Sequence, residues 1–600
     1  MPTLSVTLKA ILWPLAGAGL LLVVAALPGA MGSFVPAWLR RIVAATAAAA
    51  ALLTITMGIE QGARVTIPWQ PLNLFRTGPT FQFDSLSIPV VIVVSGVTAA
   101  MLLGIRGRAP GSMSWHGLAL VALAGVMVMA AAGNMLALLL GSAVVDLALI
   151  ATLLFSVNGE GEERSLPLTV ALPGLASTML LFFAAVQVDA EVGHASLQAL
   201  NLPESTLILT GAAGALRLMV FPFHPRGVSR PEDAALLLLP AAAGIYLIGR
   251  VQHIAPILSS GGWLAFTAAG ALLVGGLALW SGLLALASGS RHAAPGGQPI
   301  MGEVWPAALI HRAGAAIFFL LFVPGAPLWP LLGTLLPLAV LVVCWDLLLD
   351  ESLPPRARWI VTLQERMGPW WQERQARITA RWQWIERTRA FLDRSRGWRL
   401  DRYLLPLVLI LAFGSLLGFP LTIGMRDRWP LYAALLRQQS PWLIPALIAD
   451  LWLAAGVWRV ARSRPLWLRR DRSPGALSLF ALFMLGLAII AVGLFPRAFG
   501  VSPAGTGRVS GWGLGFLLLL PWLVGAWLAG LNGELERYAG IVRRVLACDW
   551  LYAGAGRVAA AVLGLFYWLG RVAEGAGWWG WALIVLALAA VLGLHSLAVR

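Results

Sequence analysis

What most limits the folds open to this chain is a series of apolar runs, each long enough to cross a bilayer. They lie near residues 8–29, 40–58, 85–105, 115–132, 134–156, 166–188, 205–223, 233–250, 262–287, 304–323, 326–349, 403–424, 440–460, 475–495, 511–531 and 578–598. One helical crossing of a hydrocarbon core takes about 20 apolar residues. Only 12% of the residues are charged and 59% are hydrophobic, whereas a soluble domain carries about 25% charged residues. Within lipid every backbone N–H and C=O must be satisfied inside the protein, which a helix does by itself. The expected fold is therefore an all-α polytopic membrane protein of about sixteen transmembrane helices.

The formal net charge of +16 does not indicate nucleic acid, because the arginines sit in short connections and not along one exposed face. With the N-terminus outside, the basic connections are cytoplasmic: Arg40 and Arg41, Arg106 and Arg108, Arg164, Arg226 and Arg230, Arg291, the segment 351–402, and Arg459 to Arg472. The motif "MRDRWP" at 425–430 runs against this assignment. A bacterial inner (plasma) membrane is the expected location. The first apolar run lacks a basic leader, so no cleavable signal peptide is expected. Cys344 and Cys548 have no spacing for a disulfide or a metal and read as small buried hydrophobes.

Two connections are more than turns. Residues 62–83 alternate β-formers with turn residues and predict a short external hairpin. Residues 351–402 carry twelve arginines and six acids. They read either as an amphipathic helix at the cytoplasmic interface, able to seat a peripheral protein, or as a solvated linker. A second amphipathic stretch, about 533–575, precedes the last run and reads either as lying along a surface or a neighbouring subunit or as containing one more crossing.

Some residues do not suit oil. "RLMVFPFHPR" at 217–226 places Arg217, His224 and two prolines in an apolar segment, and Asp146 lies in mid-run. An ionisable side chain at membrane depth is costly and by default marks a functional site. The proline pattern predicts an interrupted helix, whose free backbone ends help to solvate such groups.

Five stretches in order then resemble one family. They are "FQFDSLSIPVV" at 81–91, "GNMLALLLGSAVVDLALIATLLF" at 133–155, "RLMVFPFHPR" at 217–226, "GIYLIGR" at 244–250 and "LLGFPLTIGMRDRWPLYAAL" at 416–435. Together they are similar to the antiporter-like membrane subunits of respiratory complex I, Mrp-type cation antiporters and membrane-bound hydrogenases. The tail with "DWLY" at 549–552 is closest to the largest such subunit of complex I.

The resemblance implies two discontinuous-helix repeats and a row of proton-exchanging side chains. It implies the following division: N-terminal helices 1–60; a core 61–350; the basic segment 351–402; the end of the core and C-terminal helices 403–531; and 532–600, an amphipathic stretch with the last helix. The family's exchangeable residues are altered. Its fifth-helix glutamate falls at Ala143, with Asp146 a turn later; its seventh- and twelfth-helix lysines fall at Arg217 and Arg428; its eighth-helix histidine falls near Leu237; another lysine falls near Ala315, just after His311 and Arg312.

A buried lysine can be tuned to load and release a proton, but arginine, with a pKa above about 12, is effectively never deprotonated. The proton-path candidates are thus Asp146, Arg217, His224, His311, Arg312 and Arg428. His224 either shuttles a proton or bonds to backbone at the cytoplasmic mouth. No redox or nucleotide motif occurs, so no cofactor is expected in this chain, and its partners are expected to be other membrane subunits and lipid. The implied function is a subunit of a complex I-type ion-translocating assembly with reduced or altered proton conduction. The alternatives are a subunit of a two-protein cation or inorganic-carbon transporter, and a non-conducting scaffold.

Overall fold

The structure is a computed structural model describing residues 6–26, 37–58, 64–69, 75–106, 112–156, 165–192, 197, 202–219, 228, 230–254, 262–287, 301–323, 328–348, 400–462, 476–495, 511–530, 554, 557 and 561. Contacts group the chain into two units, Met1–Gly540 and Ile541–Arg600. All elements below belong to the first. The expected amphipathic segment 351–399, the amphipathic stretch 533–575 apart from three single residues, the last run 578–598 and His224 fall outside the described residues.

The chain is an all-α polytopic membrane protein. Its described helices are α1 (Val6–Ala26), α2 (Ala37–Gly58), α3 (Ser87–Gly104), α4 (Ser112–Ala130), α5 (Met135–Ser156), α6 (Ser165–Val192), α7 (Glu204–Arg217) and α8 (Pro231–Ile254). There follow α9 (Gly262–Ala287), α10 (Met301–Phe322), α11 (Leu328–Leu348), α12 (Leu400–Leu416), α13 (Ile423–Arg437), α14 (Leu443–Arg462), α15 (Ala476–Leu494) and α16 (Gly511–Leu528). Ten are long and apolar enough to cross a bilayer, and α1, α4, α12 and α16 contain shorter apolar helices. The two left over are α7 and α13, of 14 and 15 residues. At 1.5 Å per residue each reaches only about 22 Å, short of a full crossing.

Each short helix has one end inside an expected apolar run. α7 stops at Arg217, and Met219 takes a left-handed φ of 51°. α12 stops at Leu416; Gly418, at φ 79°, lets the Phe419 N–H donate back to the Gly414 carbonyl at 2.8 Å. Pro420 then bars helical continuation, having no N–H, and α13 restarts at Ile423 from an extended Thr422. The expected run 403–424 is therefore two elements. The arginines of "MRDRWP", which ran against the expected topology, lie within α13 and not in a connection.

The expected hairpin forms as β1 (Val65–Thr66) paired antiparallel with β2 (Thr80–Phe81). It rests on the α4–α5 turn, where the Gln82 N–H donates to the Ala131 carbonyl at 2.7 Å and the Gly133 N–H to the Thr80 carbonyl at 2.7 Å. Asp84 opens α3 as a cap, accepting the Ser87 N–H at 2.8 Å and the Leu86 N–H at 3.1 Å; a carboxylate here satisfies helix donors that have no internal partner. At the other end of α3, Arg41 of α2 donates to the Leu103 carbonyl at 2.7 Å and the Gly104 carbonyl at 3.0 Å, and reaches Ser478 of α15 at 2.9 Å. Helices α8, α10 and α11 are almost wholly enclosed by the others and form the centre against which the charged side chains pack.

Candidate functional site

Among the described residues, a cluster of buried charge lies beside each of the short helices α7 and α13. The first joins α5, α6 and α7. Arg217, the last residue of α7, sets Nη1 3.1 Å from Asp146 Oδ1 and Nη2 3.1 Å from Asp146 Oδ2. The same Nη2 donates to the Ser142 carbonyl at 3.1 Å and to Thr178 Oγ1 at 3.0 Å, and contacts the Ser142 hydroxyl. The Ser142 and Thr178 hydroxyls bond to each other at 2.6 Å, and Thr178 donates to Asp146. Asp146 fits because α6 presents Gly174 there: a Cβ at that position would lie 2.8 Å from Asp146 Oδ1.

The second cluster joins α10, α13 and α14, with α11 alongside. Arg312 pairs with Asp427. Arg428 Nη2 lies 2.8 Å from Asp450 Oδ1, and His311 Nε2 lies 3.3 Å from the same oxygen. Tyr432, one turn beyond Arg428, donates its hydroxyl to Asp450 Oδ2. Arg428 also reaches the Leu416 carbonyl, a free end of α12, at 3.4 Å. Gly333 of α11 makes the space for Arg312 and Asp427: a Cβ there would lie 2.5 Å from Asp427 Oδ2 and 2.6 Å from Arg312 Nη2.

None of the seven charged or imidazole residues in these clusters is more than 4% exposed. At that burial an unpaired ion costs several kcal/mol, which explains why every arginine has its own aspartate. The clusters are balanced, with one arginine and one aspartate in the first and two of each in the second. His311 is the residue of the second cluster whose ordinary pKa lies near neutrality. Arg312 and Arg428 each keep Nε and Nη1 without a hydrogen-bond partner among the described residues.

Five of the six candidate residues from the sequence thus lie in the two clusters: Asp146 and Arg217 in the first; His311, Arg312 and Arg428 in the second. His224 is outside the described residues. Sequence reasoning missed Asp427, Asp450 and Tyr432. Asp450 stands at the eighth position of α14 and is the hub of the second cluster. The available signal was a carboxylate inside an apolar segment. A third contact lies apart from both clusters: Arg250, near the end of α8, pairs with the α3 cap Asp84.

No family profile and no curated protein sequence matches this chain. Solved structures do match. A chain of the Mrp complex from Dietzia sp. DQ12-45-1b superposes with a TM-score of 0.69 at 14% identity, over 99% of this chain and 63% of that one. This chain therefore spans about two thirds of the Mrp chain's length, at 63%. A chain of the membrane-bound sulfane sulfur reductase, an archaeal respiratory membrane complex, matches with a TM-score of 0.62 at 15% identity, over 97% and 99%. Respiratory complex I from Thermus thermophilus with bound NADH provides a chain at 0.59 and 17%, over 88% and 100%. At such identities the likeness is one of fold. The chain shares its fold with chains of these three complexes.

Proposed function

We propose that the chain is an antiporter-like subunit of a multi-subunit, complex I-type ion-translocating membrane assembly, and that its own proton conduction is reduced. The first half of the reading is supported by fold, since the similar chains come from an Mrp complex, a respiratory complex I and a membrane-bound reductase. The second half rests on one observation: the charges at the helix interruptions are arginines matched with aspartates, Arg217 with Asp146 and Arg428 with Asp450. A guanidinium is a fixed charge, always protonated, and cannot take part in a load-and-release cycle. It can hold a carboxylate ionised and orient polar neighbours, as Arg217 does with Ser142 and Thr178.

The proposed location is the bacterial inner membrane with the N-terminus outside, supported by the arginines in the expected cytoplasmic connections. Redox chemistry in such an assembly belongs to partner subunits.

Two measurements test the reading. Affinity purification of the full chain from gently solubilised membranes should recover other polytopic chains in fixed ratio; a chain that purifies alone would refute the subunit assignment. The purified chain in liposomes with an internal pH-sensitive dye should show proton entry near that of protein-free liposomes under an imposed potential. Entry far above that level would refute reduced conduction.

A further inference from the structure

The two clusters are separated by α8, and its composition has a consequence for how they can communicate. α8 packs against α5 and α7, which carry the first cluster, and against α10 and α11, which hold and border the second. Among the described residues neither α5 nor α7 packs extensively against α10 or α11. Among the described residues, the shortest chain of packed helices from the first cluster to the second therefore passes through α8.

Residues 234–245 of α8 read "AALLLLPAAAGI", and all twelve are buried. At 1.5 Å per residue that is about 18 Å of helix without a side chain able to accept or donate a proton. The polar residues of α8 lie outside this stretch, and two of them are engaged elsewhere: Tyr246 donates to the Ala130 carbonyl at 2.9 Å, and Arg250 pairs with Asp84. Pro240 deprives the Leu236 carbonyl of its helical donor, but a carbonyl only accepts. Passing a proton requires groups that do both, which is why relays through membranes are chains of carboxylates and histidines.

We propose that α8 is an apolar partition that blocks proton transfer between the two clusters, so that each is confined to its own half of the chain. The proposal rests on the antiporter-like reading and deepens it, adding to the fixed arginines a second, independent barrier. An apolar wall does not stop an electric field. Each cluster is balanced in formal charge, however, so what crosses the wall is the weaker field of paired charges.

The test uses the purified full chain in liposomes with the pH-sensitive dye. Arg217→Lys with Arg428→Lys gives both clusters an exchangeable cation, and proton entry by this double-lysine chain is the reference for the variants that follow. Adding Leu237→His, within the apolar stretch, should raise entry about tenfold or more, within reach of one positioned proton-transfer group. Adding His311→Gln to that chain should remove the gain, and Leu237→Met, which keeps the stretch apolar, should produce none. The partition is wrong if Leu237→His adds nothing to the double-lysine chain while the thermal midpoint holds. Native entry well above protein-free liposomes would count against reduced conduction alone, and the ratios among these chains would still decide the partition.

Discussion

Arg217 at the end of α7 is held by both oxygens of Asp146 on α5, at 3.1 Å to each. The pair stands where α7 stops, with Arg217 1% and Asp146 4% exposed. Removing one partner from such a pair leaves an uncompensated buried charge. Asp146→Asn should therefore destabilise the chain by about 3–5 kcal/mol, while Asp146→Leu combined with Arg217→Met should recover most of that loss or exceed the native stability. Denaturant titration of the detergent-solubilised chain measures both. Equal losses in the single and double variants would mean that the pair's charges are not what holds α5 to α7.

The second cluster depends on a missing side chain. At Gly333 a Cβ would stand 2.5 Å from Asp427 Oδ2 and 2.6 Å from Arg312 Nη2. Gly333→Ala should force that pair apart in a packed interior, where overpacking costs about 1–3 kcal/mol. Gly211 of α7 is the control, because nothing lies within 4 Å of its added Cβ. Gly211→Ala should be neutral or stabilise the helix by up to about 1 kcal/mol. Matching thermal midpoints for the two variants would contradict the crowding at Gly333.

How much of this was legible beforehand depends on the distance between partners in the chain. The apolar runs and the two interruptions were readable because a span's length and a proline's missing N–H are local properties. Asp146 and Arg217 were identified individually because a charge in an apolar run stands out. Asp450 was overlooked for a physical reason: its three partners come from residues 311, 428 and 432 on two other helices. Only tertiary packing reveals that it is a hub. Arg250 and its partner Asp84 are 166 residues apart, so their contact too is visible only in the folded chain.

The second interruption contains a residue in the wrong conformation for its type. Leu421 adopts φ 70° and is 60% exposed. A non-glycine residue in the left-handed region is held there by its surroundings at a cost of about 1–3 kcal/mol. Because so little of its side chain is buried, Leu421→Gly should relieve strain without opening a cavity and stabilise the chain by about 1 kcal/mol. Leu421→Val should do the reverse, since a β-branched side chain tolerates this region least. The thermal midpoints of these two variants on either side of the native value are the expected result, and the opposite order would remove the case for strain at this break.

The Asp84–Arg250 contact responds to acid, because Asp84 lies before α3 begins. Burial tends to raise the Asp84 pKa, but the Arg250 charge and hydrogen bond, with those from Ser87, more than offset this and hold it below the ordinary carboxylate value. A carboxyl with a folded pKa below its unfolded one contributes stability that is fully present above the unfolded pKa and disappears as pH falls through the folded pKa. The contribution should hold constant from neutrality down to about pH 4, the ordinary carboxylate value, and decline below it. Asp84→Asn removes the titrating group, so the midpoint gap between native chain and variant should be flat from neutral to mildly acidic pH and close only in strong acid. A gap that instead widened as pH fell would require Asp84 to prefer its protonated form in the fold, and the cap and ion pair would have to be reassigned.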